Sequence, residues 1–273
     1  MPFADNQGTK IYWDEQGIGA PILLIMGLGY PSAMWHRSRP ALSASYRTIA
    51  LDNRGSGQSD VPPGPYSIPL MASDAAAVLD AAGVTKAHVF GVSMGGMIAQ
   101  EFALQYPERV ESLILGCTAP GGPNALRAEP AAVEMLKART WMSREQAAEA
   151  AVPFIYDSAT PRHLIDEDIA QRHPWPTSAA GYLAQLQAIL AREPFSRLPQ
   201  ITAPTLVIHG KVDRLVPVGN GELIAARIPD AKLVLLERAS HLFSTDQAEA
   251  AERAVFEFLA VQRLGANAGE RGG

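Results

Sequence analysis

The chain has 273 residues, 47% of them hydrophobic, and its 23 basic and 28 acidic side chains leave a net charge of −5. That length suits one large α/β domain or a core with an insertion, and the composition is ample for a substantial core. Scattered lysines and arginines on an acidic chain give no basic face for nucleic acid or an anionic membrane, and the single cysteine, Cys117, excludes an intramolecular disulfide and a cysteine-cluster metal site.

Residues 1–8 hold neither a basic segment nor an apolar one, so no signal peptide is expected, and no run is long enough to span a bilayer. The expectation is a cytoplasmic protein. Residues 9–14 alternate like an edge strand and turn at Gly17 to Gly19. Residues 21–26 are a continuous apolar run, as in a strand buried on both faces. Further strands are expected at 46–52, 86–90, 110–115, 204–209 and 232–236, with helices over 71–82 and 97–105 between them. This alternation predicts an α/β fold with a mainly parallel sheet covered on both faces. Residues 119–199 break the rhythm. They contain no strand pattern, only Pro- and Gly-bounded helical stretches at 131–137, 144–152, 161–171 and 178–191. The expected organisation is a core domain from 1–118 and 200–263, a helical cap from 119–199, and a flexible tail from 264–273.

Gly91-Val92-Ser93-Met94-Gly95 lies between a strand pattern and a helix pattern. G-x-S-x-G in that context is a nucleophile elbow, a turn so tight that it strains the serine backbone and admits only small neighbours. It presents the Ser93 hydroxyl above the sheet and aims a helix N-terminus at whatever the serine attacks. A serine hydroxyl needs a base in hydrogen-bond reach, and the base needs an orienting acid. In a parallel α/β sheet such groups gather at the carboxyl ends of the strands. Asp213 follows the strand ending at His209, and His241 follows the strand ending near Leu236. The chain order Ser, Asp, His is the one expected for the elbow architecture. Asp246 competes with Asp213 but follows His241 by only five residues, a poor position for a group behind the imidazole. His209 and His88 are expected to be structural, and His36, His163 and His173 show no metal spacing.

With these residues in place, the chain resembles the α/β-hydrolase superfamily from about residue 9 to residue 260. Asp52-Asn53-Arg54-Gly55-Ser56-Gly57-Gln58-Ser59 resembles the family's D-x-R-G-x-G-x-S loop, and Tyr106-Pro107-Glu108-Arg109-Val110 its Y-P-x-x-V segment. Asp52 and Arg54 are expected to form a structural charge pair. The resemblance implies an eight-stranded sheet, a helical cap, and an oxyanion hole made by the backbone N–H groups of Leu28 and Met94. Many relatives carry His-Gly in the first of these loops, whereas this chain has Met26-Gly27. Gly27, Leu28, Met94 and Leu242 are expected to touch substrate. Of the cap residues Met135, Trp141, Met142, Phe154, Tyr156, Trp175 and Tyr182, one or two are expected to line an acyl pocket.

The implied activity is serine-catalysed hydrolysis of a small, apolar carboxylic ester, with no metal or organic cofactor. A serine at the elbow argues against the dehalogenase and epoxide hydrolase relatives, which use Asp. Lactone hydrolysis, C–C bond hydrolysis, perhydrolysis and a binding protein of little turnover are the alternatives, and a monomer or homodimer is expected.

Overall fold

In each central strand, alternate apolar side chains point to opposite faces, and both faces are covered. Ile22 and Leu24 belong to one buried cluster, while Leu23 and Ile25 belong to another. The computed structural model describes residues 2–192 and 195–269. Its eight strands are β1 (Phe3–Asn6), β2 (Thr9–Gln16), β3 (Pro21–Ile25), β4 (Arg47–Leu51), β5 (Ala87–Val92), β6 (Val110–Gly116), β7 (Thr205–Gly210) and β8 (Lys232–Leu236). They form one sheet in the order β1-β2-β4-β3-β5-β6-β7-β8. The β1–β2 and β2–β4 pairs are antiparallel and the other five are parallel. Parallel neighbours need long crossovers, which the helices provide.

Helices α1 (Arg39–Ser43), α2 (Ile68–Ala81), α3 (Met94–Gln105), α8 (Gly219–Arg227) and α10 (Ala248–Gly269) flank the sheet. Met71, Ile98, Phe102 and Ile224 pack on one face, and Leu42, Val255 and Leu259 on the other. Helices α4 (Pro130–Ala138), α5 (Arg144–Ile155), α6 (Arg162–Arg172) and α7 (Ala179–Leu190) all lie between β6 and β7, and the short α9 (Phe243–Asp246) follows β8. Among the described residues, no helix is long and apolar enough to cross a membrane.

Four expectations need correction. Strand β1 is absent from the expected elements, because four residues carry no readable pattern; it is held by pairing with β2 and by packing on α2, with Ala4 in the core and Asn6 bonded to Ser73 and Asp74. Helix α2 starts three residues earlier than the apolar pattern suggests. Ser67 caps it by accepting the Leu70 N–H, and Pro69 fits its first turn. Asp52 and Arg54 do not pair. Arg54 forms a two-pronged ion pair with the buried Asp74 of α2 at 2.6 Å. The Asp52 carboxylate instead accepts the Ser32 and Gln58 N–H groups at 2.6 and 2.8 Å. The physical reason is that the buried Asp52 carboxylate is already satisfied by backbone N–H groups from its own loop and from the segment after β3, while Arg54 faces α2. Helix α10 continues to Gly269, so residues 264–269 of the expected tail are helical, while residues 270–273 lie outside the described residues.

Two buried polar residues tie the helical segment to the sheet. Gln185 of α7 accepts the Gly29 N–H at 2.8 Å and donates to Arg54 O and Ser56 Oγ at 2.8 and 2.7 Å. Asp168 of α6 accepts from Arg37 Nε, the Tyr156 hydroxyl and Thr245 Oγ1, with His36 Nε2 at 3.1 Å. Burial pushes the Asp168 carboxyl up, but the bonds from His36 and Thr245 and the Arg37 charge hold it below its usual value.

Candidate active site

Ser93 sits between β5 and α3 with φ 58° and ψ −122°, in the left-handed half of backbone space. A non-glycine residue there carries strain on the order of 1–3 kcal/mol, which surrounding bonds must hold. Its N–H donates to Gly116 O at 2.8 Å, and its carbonyl accepts from Thr118 Oγ1 at 2.6 Å. The flanking glycines are required by space. A methyl group on Gly91 would strike the Gly95 carbonyl, and one on Gly95 would strike the Ile25 and Met26 carbonyl oxygens. Because those obstacles are backbone, Gly95→Ala is expected to cost about 3 kcal/mol or more. Thermal unfolding should show a large drop in Tm, with loss of activity in whatever folds.

Met94 is the first residue of α3, so its N–H belongs to the unpaired donors of that helix end. The loop after β3 packs directly on Ser93, since a Cβ on Gly27 would lie 3.0 Å from Ser93 Cβ. Gly27, Leu28, Met94 and Leu242 all line one cavity together with Ser93 and His241. The cavity holds about 840 Å³ and its walls are mainly apolar, including Met97, Met135 and Ile155.

Asp213 and His241 come together as the sequence suggests. His241 Nδ1 is 2.8 Å from Asp213 Oδ2, and both groups are buried. The other carboxylate oxygen accepts the Leu215 and Val216 N–H groups at 2.9 and 2.8 Å. Burial alone raises the Asp213 pKa. The His241 charge and the hydrogen bonds from His209 and His241 outweigh it and hold the carboxyl at about 2.

His209 has more than a packing role. Its Nε2 donates to Val216 O at 2.8 Å and lies 3.5 Å from Asp213 Oδ2. Potential ligand atoms of Cys117, His209 and Asp213 lie within 4.8 Å of one another, but Cys117 Sγ accepts the Gly210 N–H and Asp213 is taken by donors. Burial pushes the Cys117 thiol well up, as expected for an inert core cysteine.

Asp246 is placed away from the imidazole nitrogen that Asp213 holds. It accepts Ser240 N–H at 2.6 Å, Asp157 N–H at 3.1 Å and Thr160 Oγ1 at 2.6 Å, joining the His241 loop to the segment after α5. Burial raises its pKa to about 6, against the lowering effect of those three bonds. The fold therefore favours the protonated form over the unfolded chain. The contribution of Asp246 is complete below about pH 4 and is lost as pH rises through about 6. Asp213 has the opposite sign, contributing above about pH 4 and losing that as pH falls through about 2. Urea unfolding between pH 4 and 7 should show a downward slope that Asp246→Asn flattens.

Among the aromatic and methionine residues of the helical segment, Met135 lines the large cavity. Met142, Trp175 and Tyr182 line a second, smaller one, and Trp141 is 91% exposed. Sequence reasoning missed Arg192, which is buried at the wall of the large cavity. It donates to Pro120 O and to Gln100 Oε1, fixing the loop after β6, and burial pushes its pKa down to about 9. A single arginine beside Glu193 and Pro194 at the end of a helical stretch reads as a solvated charge and leaves no signal of its burial.

Comparison with known proteins adds the following. A sequence-family model described as the alpha/beta hydrolase fold matches residues 20–248. A protein of Azorhizobium caulinodans named as a carbamate hydrolase is 36% identical over 256 residues, covering 89% of this chain and 92% of that one. A 2-hydroxy-6-oxononadienedioate/2-hydroxy-6-oxononatrienedioate hydrolase of Burkholderia vietnamiensis is 33% identical over 93% of this chain and 92% of its own. Among solved structures, the enol-lactonase from Burkholderia xenovorans superposes with a TM-score of 0.84 at 27% identity, over 95% of this chain and all of that one.

Proposed function

The chain belongs to the α/β-hydrolase fold family, and from that premise we propose that it is a serine hydrolase cleaving carboxylic esters of small, apolar-bodied molecules. The observation that carries this reading is the buried His241–Asp213 bond at 2.8 Å beside a strained Ser93, with Ser93 and His241 on the wall of one apolar cavity. Asp213, ionised and capped by two backbone N–H groups, holds the imidazole with its other nitrogen free for the serine proton. In this reading the bond from Ser93 Oγ to that nitrogen forms as substrate binds, as catalytic hydrogen bonds commonly do.

The reaction runs in two halves. His241 takes the Ser93 proton as the hydroxyl oxygen attacks the ester carbonyl. The N–H groups of Leu28 and Met94 hold the oxyanion. The C–O bond to the alcohol breaks, and His241 returns the proton to the leaving oxygen. Water then enters and loses a proton to the same imidazole as its oxygen attacks the acyl carbonyl; the acyl–Oγ bond breaks, His241 returns that proton to Ser93 Oγ, and the acid leaves. A lactone is a cyclic ester and would follow the same steps. Residues 119–199 act as a cap that shapes the cavity above Ser93, and the cavity volume of about 840 Å³ accommodates a medium-sized acyl group.

The test is hydrolysis of 4-nitrophenyl esters from acetyl to decanoyl. Sustained multiple turnover with an optimum chain length supports the proposal. Absence of turnover across the series would sink it.

A further inference from the structure

The smaller cavity, about 200 Å³, lies beside the one that contains Ser93 and shares Tyr30 and Arg139 with it. Its wall carries three arginines, Arg139, Arg144 and Arg172, against a single carboxylate, the exposed Glu145. The Arg172 guanidinium donates to the Tyr30 hydroxyl at 2.6 Å and lies 5.0 Å from the centre of the Tyr30 ring. Its Nη2 is buried with no hydrogen-bond partner. Arg139 lies over the same ring at 5.8 Å and over Tyr182 at 5.2 Å.

Two guanidinium groups thus share one aromatic ring. Elsewhere around this segment the arginines find acids, Arg162 with Glu149 and Asp166, and Arg214 with Glu129. Among the described residues, no carboxylate lies within ion-pair distance of Arg139 or Arg172, although Glu149 is near enough to feel the Arg172 charge. A buried guanidinium N–H without an acceptor is unfavourable, and two neighbouring cations add repulsion. An anion between them would relieve both.

Resting on the hydrolase reading above, we propose that this smaller cavity is a carboxylate-binding site for the anionic end of a small molecule whose ester group sits at Ser93. The planar guanidinium of Arg172 matches a carboxylate through paired N–H donors. A volume of about 200 Å³ holds a carboxylate and a short stem, since one water takes about 30 Å³. The partition between the cavities contains Arg139 and Tyr30, and Tyr30 is two residues from the Leu28 oxyanion donor. An anion held there would fix the far end of a substrate relative to the oxyanion hole.

The test compares kcat/KM for the mono-(4-nitrophenyl) ester of glutaric acid with that for 4-nitrophenyl pentanoate, at fixed ionic strength. The enzymes are the wild type, Arg172→Gln and Arg172→Lys, with thermal unfolding to establish that each folds. Wild type is expected to favour the anionic ester at least tenfold, Arg172→Gln to lose at least fivefold of that preference, and Arg172→Lys to keep most of it. In parallel, calorimetry follows glutarate binding to Ser93→Ala with and without Arg172→Gln. Binding that disappears with Arg172→Gln supports the site even where no ester is turned over, in which case the hydrolase reading alone fails. The same result without an ester preference assigns the site to a free carboxylate. Equal preference in wild type and Arg172→Gln, together with no Arg172-dependent glutarate binding, overturns the proposal.

Discussion

Ser93→Ala is expected to lower kcat/KM on an activated ester by roughly 10⁴- to 10⁶-fold, while thermal unfolding changes little. The hydroxyl is the bond-forming group of the proposed reaction, and the backbone bonds that hold the elbow, Ser93 N–H to Gly116 O and Thr118 Oγ1 to Ser93 O, do not involve it. Alanine at φ 58° bears much the same strain as serine. The residual rate should come from the cavity and the two oxyanion donors. His241→Ala should cost about as much, and the double variant little more, because a nucleophile without its base is already disabled. Steady-state kinetics on the three variants checks this. An alanine variant that keeps more than a tenth of the wild-type rate would point to chemistry that does not pass through Ser93.

Asp213→Asn is expected to lower kcat by roughly 10³- to 10⁴-fold with the fold retained. Every neighbour of this carboxylate is a donor. Oδ1 receives Leu215 N–H and Val216 N–H, while Oδ2 receives His241 Nδ1–H, with His209 Nε2 3.5 Å away. An amide must turn its NH2 toward one of these sets. Facing the backbone, it strands two N–H groups. Facing His241, it forces the imidazole into the tautomer that cannot accept the serine proton. Either arrangement also removes the charge that stabilises the imidazolium. The loss should fall on kcat far more than on KM, because Asp213 does not line the large cavity beside Ser93. A variant with near-normal kcat would return the orienting role to another acid, and Asp246, which accepts Ser240 N–H in the same loop, would be the first to examine.

Much of the sheet was legible because buried parallel strands need apolar stretches: Pro21–Ile25 is continuous, and Val89-Phe90 and Leu206-Val207-Ile208 are the apolar centres of β5 and β7. The elbow was legible because the steric demand for small residues at Gly91 and Gly95 is absolute and local. Asp213 and His241 could be placed because they follow strand ends, where the topology puts every functional loop on one edge. Strand β1 was not legible, since four residues give too short a pattern and their conformation is set by partners distant in sequence, β2 and α2. Arg54 was misassigned because proximity in sequence, to Asp52, was a poor guide to its partner Asp74 twenty residues away.

The sequence by itself determined the strand–helix rhythm, the turn that carries Ser93 and the placing of Asp213 and His241 just after strand ends, all of which rest on local sterics and short-range periodicity. Only the tertiary structure decided what surrounds them. Gln185 pinning the Gly29 N–H, His209 standing behind Asp213, Arg192 at the cavity wall and the Arg139–Arg172 pair on Tyr30 all join residues far apart along the chain. A polar side chain in a helical segment reads as a solvated face until packing removes the water, and burial is a property of the whole fold that no local pattern contains.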